Sequence, residues 1–327
     1  MFFIKFCAII LMAGAPLNIV FGAHTFPTLP LEFREKHLSE VEFQFQDRWN
    51  KVKKSKASFV PYQKKSDEAI REEFRKLHLF RQNLWYRNPQ GSPYVCQEDY
   101  RVDQRLLEKG LYRTINNIAF SYNCTDGSYN ASTVLIYGHH FMPLMEPLES
   151  TVISFFKLLI NHGASILVRL KPEEEFENAG TINYWKGRLT ESKDSVLLNL
   201  DVSLPKWPVN PVPIPYFYTN AWKDDKGLEI QELYQLVQKV RRAYQKSEHK
   251  GPIACHCASG VGRTGTFIAA FVLADLLDHS KVDEVSIEEI VLKLSIQRPN
   301  MVGTEDQYVL LYRFLEYYLD QKANSTH

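Results

Sequence analysis

The sequence predicts an α/β domain, and three observations predict it. Apolar runs of strand length occupy residues 165–170 and 253–256. Helical apolar spacing runs through residues 151–160, 229–244 and 264–277. Strand 253–256 then passes into helix 264–277 through a turn containing Gly260, Gly262 and Gly265, the strand–loop–helix order in which α/β folds present a binding loop. The chain has 327 residues, 45% hydrophobic and 24% charged, an ordinary globular composition with room for one domain and a leader. A formal net charge of +1 excludes binding to nucleic acid through bulk electrostatics.

At the start of the chain, residues 1–22 have the pattern of a secretory leader. Lys5 supplies a basic start, residues 6–21 an apolar run, and Val20-Phe21-Gly22 the small-residue end before a cut at Ala23. Gly14, Pro16 and Asn18 interrupt a run already short for a bilayer span. The expectation is an exported protein, secreted or periplasmic, with no stable membrane span after cleavage. Export leaves Cys96, Cys124, Cys255 and Cys257. An oxidising compartment would permit a Cys96–Cys124 disulfide, and the sequence fixes no distance between the two. Cys255 alternates with Cys257 along the strand and reads as core. Asn123, Asn130 and Asn324 each begin a glycosylation pattern.

Residues 23–110 read as an N-terminal helical extension packed on the main domain, residues 111–320. Leu38, Val41, Phe43, Phe45 and Trp49 lie at helical spacing within 31–56, giving one or two helices whose Lys-rich end at 51–56 is solvated. Residues 67–80 form a further helix, and a Pro/Gly/Asn-rich loop surrounds residues 89–93.

The chemistry is concentrated in His256-Cys257-Ala258-Ser259-Gly260-Val261-Gly262-Arg263-Thr264-Gly265. Glycines permit a tight turn whose successive N–H groups face inward. The turn sits on a helix N-terminus, whose partial positive charge and unclaimed N–H donors suit a dianion. The same field favours negative charge on the Cys257 sulfur. Arg263 can reach back with two parallel donors to a phosphoryl group, and Thr264 can hydrogen-bond the sulfur. His256 orders the loop. A Walker loop is excluded by the absence of a Gly-Lys-Ser/Thr ending. These residues assign attack on a phosphate ester, with Ala258, Ser259, Gly260, Val261, Gly262 and Arg263 as the phosphate cradle.

This loop resembles the H-C-x-x-G-x-x-R-S/T signature of the Cys-based protein tyrosine phosphatase family. Further resemblances follow in the family's order across residues 112–319. Tyr129-Asn130-Ala131-Ser132 resembles Y-x-N-A-S. Met145-Glu146-Pro147 with Thr151, Val152 and Phe155 resembles Q-G-P-x-x-x-T-V-x-x-F. Tyr184-Trp185 resembles Y-W-P, with Lys186 in place of Pro. The resemblance implies a single tyrosine-phosphatase-like domain with a central twisted mixed sheet flanked by helices. It also implies a phosphotyrosine-containing protein as substrate and a cysteinyl-phosphate intermediate. No cofactor is required, and no metal-ligand spacing is evident.

The family's general acid is the Asp of a W-P-D loop. Trp207-Pro208-Val209 has no Asp. Trp222-Lys223-Asp224 lies 35 residues before Cys257, follows Tyr218-Thr219 and precedes a helix. Asp224 is therefore the expected acid, with Asp225 next to it and Trp222 in support. Lys223 stands where the family has Pro. Gln297-Arg298-Pro299-Asn300-Met301-Val302-Gly303-Thr304-Glu305-Asp306-Gln307-Tyr308 resembles the family's water-positioning loop. Gln307 matches its second Gln, while Gly303 replaces the first. Glu175, ten residues before Trp185, falls where the family braces the signature Arg, with Glu173 and Glu174 as close competitors. Tyr112 falls near the family's substrate-stacking Tyr. Two rival functions remain: an inositol-phosphate or phosphoinositide phosphatase, disfavoured by the uncharged Ala258, Ser259, Val261 and Gly262, and a phosphotyrosine-binding pseudophosphatase, whose support is Lys223 and Gly303.

Overall fold

A computed structural model describes residues 18–21, 24–27, 31–56, 58–85, 129–176, 182–192, 195–200, 211–223, 227–247 and 251–325. Cys96, Cys124, Tyr112, Asn123, Trp207, Asp224 and Asp225 lie outside them.

A short antiparallel hairpin opens the described chain, β1 (Asn18–Phe21) with β2 (His24–Pro27). Helix α1 (Leu31–Ser55) follows as one unbroken helix. It buries Val41, Phe45, Trp49 and Val52 along one stripe, while Phe43 on the other side is 71% exposed. Helix α2 (Asp67–Trp85) buries Ile70, Phe74 and Leu77 in the same way. Both helices enter the same apolar cluster as the C-terminal helices, through contacts that include Phe74 against Tyr308, with ring centroids 5.4 Å apart. The Lys-rich end of α1 is solvated except at Lys56, whose ammonium meets Glu288 at 2.7 Å.

Strands β3 (Val134–Ile136) and β4 (His139–Leu144) form a hairpin, and α3 (Val152–Asn161) leads to β5 (Ile166–Leu170). Then come β6 (Leu189–Glu191), β7 (Val196–Leu200) and β8 (Val212–Thr219), with α4 (Ile230–Lys246) after them. Strand β9 (Ile253–His256), α5 (Gly262–His279), α6 (Ile287–Ser295) and α7 (Glu305–Asn324) complete the described chain.

Seven strands form one sheet in the order β3-β4-β9-β5-β8-β7-β6. The centre is parallel, β4 with β9, β9 with β5 and β5 with β8, and both edges are antiparallel. This is the mixed α/β sheet the sequence predicts. Strand β9 sits between two parallel neighbours and all four of its residues are buried, as a central parallel strand requires. Its C-terminal end delivers Cys257 to the place where α/β sheets bind ligands. Helix α5 is apolar on nearly every side and runs through the core, with Phe267, Ile268, Ala269 and Ala270 all at 0% exposure, so the loop it caps is anchored at both ends.

Candidate active site

Cys257 follows β9 directly and is 2% exposed. The five peptide carbonyls from Cys257 to Val261 are each claimed from outside the loop. His256 Nδ1 lies 3.1 Å from Cys257 O, and Glu146 N donates to Ala258 O at 3.0 Å. Arg298 Nη2 donates to Ser259 O at 3.0 Å and Arg298 Nε to Gly260 O at 2.8 Å. Gly265 N donates to Val261 O at 2.6 Å within the first turn of α5. A trans peptide holds its C=O and the following N–H in opposite directions, and no peptide among the described residues is cis. The N–H groups of residues 258–262 therefore face the concave side. A ring of such donors over a helix N-terminus with no side-chain cap is an anion site.

Arg263 completes it from the first turn of α5. The residue is fully buried, and its Nη1 donates to both Glu175 oxygens, at 3.1 and 2.9 Å, and to Trp222 O at 2.8 Å. Glu175 is thus the acid that meets this guanidinium. Glu173 instead lies 3.8 Å from Arg169, and the Glu174 side chain lies outside the described residues. A carboxylate of this kind offsets part of the cost of burying the charge. Trp222 is fully buried and contributes its carbonyl, which brings the start of the Trp222-Lys223-Asp224 segment against Arg263. The hydroxyl of Thr264 is buried and has no hydrogen-bond partner among the described residues, so it can donate to the neighbouring sulfur.

His256 is fully buried, and burial pushes its imidazole down to about 3. It is neutral at working pH. Its Nδ1 faces Cys257 O, so that nitrogen carries the proton and Nε2 accepts from Tyr184 OH at 2.6 Å. Burial also raises the Tyr184 phenol well above its ordinary value, so it remains a donor. His256 thus orders the loop. A second imidazole, His140, is pushed down to about 3 by burial and then by His162, His37 and Arg34. The unfolded chain protonates both near 6.5, so unfolding takes up two protons at lower pH. Stability is expected to level off above pH 6.5 and to fall toward pH 3, with a slope that approaches about 2.7 kcal/mol per pH unit once both imidazoles are protonated in the unfolded chain. Urea unfolding at several pH values checks this, and a flat profile down to pH 4 refutes it.

Gln307 lies in the first turn of α7, 1% exposed. Thr304 caps that helix, accepting from Gln307 N at 3.2 Å. Gly303 N donates to Gln307 Oε1 at 2.8 Å, which fixes the amide orientation. That amide rests on the loop: a methyl group added at Gly262 would meet Gln307 Nε2 and Oε1 at 3.1 Å. The structure therefore brings together Cys257, Arg263, Thr264, His256, Glu175, Trp222 and Gln307.

Several contributors carry no recognisable role in the sequence. Arg298 is fully buried and also reaches Ser132 Oγ at 3.1 Å. Its only signal is its place in the Gln297-Arg298 pair. Glu146, in the position of a family Gly, is fully buried and pairs with Lys171 Nζ at 2.8 and 3.1 Å. Arg169 lies 4.0 Å from the Trp185 ring centroid and donates to Asn220 Oδ1 at 2.9 Å. Asn130 is 2% exposed, so the folded chain offers no glycan acceptor there.

The sequence profile described as protein-tyrosine phosphatase matches residues 208–317, the span that holds the cradle, Arg263 and Gln307. That span is similar to a protein-tyrosine phosphatase domain. Receptor-type tyrosine-protein phosphatase eta of Mus musculus is 26% identical over 330 residues, covering 92% of this chain and 26% of its own length. Tyrosine-protein phosphatase non-receptor type 7 of Homo sapiens is 27% identical over 281 residues, covering 78% of this chain and 72% of its own. Tyrosine-protein phosphatase 69D of Drosophila melanogaster is 30% identical over 209 residues, covering 57% and 14%. The chain spans about a quarter of the length of the receptor-type eta phosphatases it matches, 26% and 24%. The seven-stranded sheet and its helices are the frame that holds the cradle.

Proposed function

We propose that the chain is a phosphatase that hydrolyses phosphotyrosine in proteins through a cysteinyl-phosphate intermediate. The observation that carries this is the outward clamping of five consecutive loop carbonyls around Cys257, which turns the opposing N–H groups toward one bound anion. The Cys257 thiolate forms an S–P bond as the aryl P–O bond breaks. Arg263 and the loop amides hold the equatorial oxygens. Asp224 gives its proton to the departing phenolate. Water held by Gln307 then loses a proton to Asp224 and attacks phosphorus. The S–P bond breaks, phosphate leaves, and Thr264 donates to the departing thiolate. Tyr112 stacks on the substrate ring. Neutral loop side chains at Ala258, Ser259, Val261 and Gly262 match one phosphate better than several.

Export through residues 1–22 is part of the same proposal, supported by Lys5 and the apolar run after it. Among the described residues, no helix is long and apolar enough to cross a membrane. N-terminal sequencing of protein recovered from the producing cell tests the cut before Ala23.

The acid is tested by Asp224→Asn. Turnover of a phosphotyrosine peptide is expected to fall by roughly a hundredfold or more, with a smaller loss on an aryl phosphate whose leaving group needs no proton. Equal losses on both substrates refute the acid role. Binding without turnover in the unmodified protein supports the pseudophosphatase, and turnover confined to inositol phosphates reassigns the substrate.

A further inference from the structure

The buried stripe of α2 runs Ile70, Phe74, Leu77 and then Arg81. The period that places three apolar side chains in the core places a guanidinium in the fourth position. Arg81 is 1% exposed. Its described partners include no carboxylate. Nη1 donates to Met301 O at 2.8 Å, Val302 O at 3.1 Å and Ser295 Oγ at 3.3 Å, while Nη2 meets His78 Nδ1 at 3.3 Å. The Phe74 ring centroid lies 5.2 Å from the guanidinium carbon. Burial pushes the group down to about 10, so it stays charged at neutral pH.

The turn it grips is strained. Asn300 has φ 61° and Val302 has φ 58°, and a β-branched residue in the left-handed region is a conformational outlier. Such a turn persists only where its surroundings hold it, and Arg81 supplies two carbonyl contacts at that point. The turn also touches the site. A methyl group added at Gly265, in the first turn of α5, would lie 2.6 Å from Val302 N and 2.9 Å from Met301 Cα. The next residue, Gly303, holds the Gln307 carbonyl oxygen, and the Gln307 amide rests on Gly262. A continuous run of contacts therefore joins α2 to the residue proposed to place the attacking water.

We propose, resting on the phosphatase reading above, that Arg81 is a positioning residue for the second chemical step. By clamping the Met301–Val302 stretch of this turn, which is left-handed at Asn300 and Val302, it keeps Gln307 aimed at the cysteinyl phosphate. Formation of the intermediate depends on Cys257, Arg263 and the cradle, and does not require this clamp. Hydrolysis does.

The test separates the two steps in the full chain, with an aryl phosphate as substrate. Arg81→Met is expected to lower kcat roughly tenfold and KM in proportion, leaving kcat/KM unchanged within a factor of about two. A burst of phenol approaching one equivalent of enzyme should appear, and acid quenching should trap phosphorylated Cys257. Val302→Gly relieves the left-handed strain, so Arg81→Met with Val302→Gly should recover most of the lost kcat. A thermal melt shows whether Arg81→Met folds; if it does not, the same split is read on Arg81→Lys, which keeps the charge but lacks the planar guanidinium that sets one nitrogen on the carbonyls and the other on His78. Parallel loss of kcat and kcat/KM without a burst, an unchanged kcat, or a double variant as slow as Arg81→Met overturns the clamp. Absence of any turnover or trapped phosphate in the unmodified protein instead overturns the phosphatase reading, and the inference with it.

Discussion

Cys257→Ser is expected to abolish turnover, by about ten-thousand-fold or more, while leaving phosphotyrosine binding in place. A serine hydroxyl in the same position carries its proton at neutral pH, and the described residues show no base against it: His256 is neutral and has both ring nitrogens engaged, one on Cys257 O and one on Tyr184 OH. The cradle does not depend on the sulfur. Its carbonyls are held by the Glu146 backbone, by Arg298, by His256 and by the first turn of α5, and Arg263 is held by Glu175 and Trp222 O. Calorimetric titration with a phosphotyrosine peptide, beside a turnover assay, reads both halves of the expectation. Turnover within about a hundredfold of the unmodified protein would require a different nucleophile. Loss of binding with retained folding would mean that the thiolate, and not the amide ring, organises the loop.

The parts of this site that were legible in the sequence are those whose physics is local. A strand, three glycines and a helix start within one short stretch define the cradle, because turn, donors and helix end are consecutive. Helices α2, α3 and α4 were legible because their buried faces repeat every three or four residues, and α5 because a long run of small and apolar residues follows the glycine turn. The edge strands were not. Strand β6 has three residues, none of them buried, and a strand that short with an exposed face leaves no alternation to count. Glu175 was separated from Glu173 and Glu174 only by the fold, since three adjacent acids in one turn differ in direction and not in type. Arg298, Arg81 and the Glu146–Lys171 pair were illegible for another reason. Their partners lie 39, 221 and 25 residues away at the contacts cited, and a charge buried by a distant backbone carbonyl leaves no periodic mark. Arg81 left one faint sign: it continues an apolar stripe on which a cation has no local reason to sit.

Gly260→Ala is expected to collapse the site by a steric route, with the nucleophile still in place. Gly260 has φ 72°, which L side chains seldom adopt, and that alone costs about 1–2 kcal/mol. The steric clash weighs more. A Cβ there would lie 2.1 Å from Leu144 O and 2.5 Å from Leu144 C. Neither atom belongs to a flexible side chain. Leu144 ends β4 and is in register with His256 of β9, and the loop is stitched to the same stretch by Glu146 N and Ala258 O. For the methyl group to fit, the loop must swing away from β4, which breaks the Arg298 contacts to Ser259 O and Gly260 O and turns the amide ring out of register. Activity should fall at least about a hundredfold, with stability lower by about 2–4 kcal/mol. Gly138→Ala is the internal control. Gly138 has φ 77° and nothing within 4 Å of its added Cβ, so it carries the conformational strain without the clash, at the β3–β4 turn. Urea unfolding and steady-state rates on both variants separate strain from clash. If Gly260→Ala costs no more than Gly138→Ala and keeps its activity, the close approach of the loop to β4 is not what holds the cradle, and the clamped carbonyls must be sufficient without it.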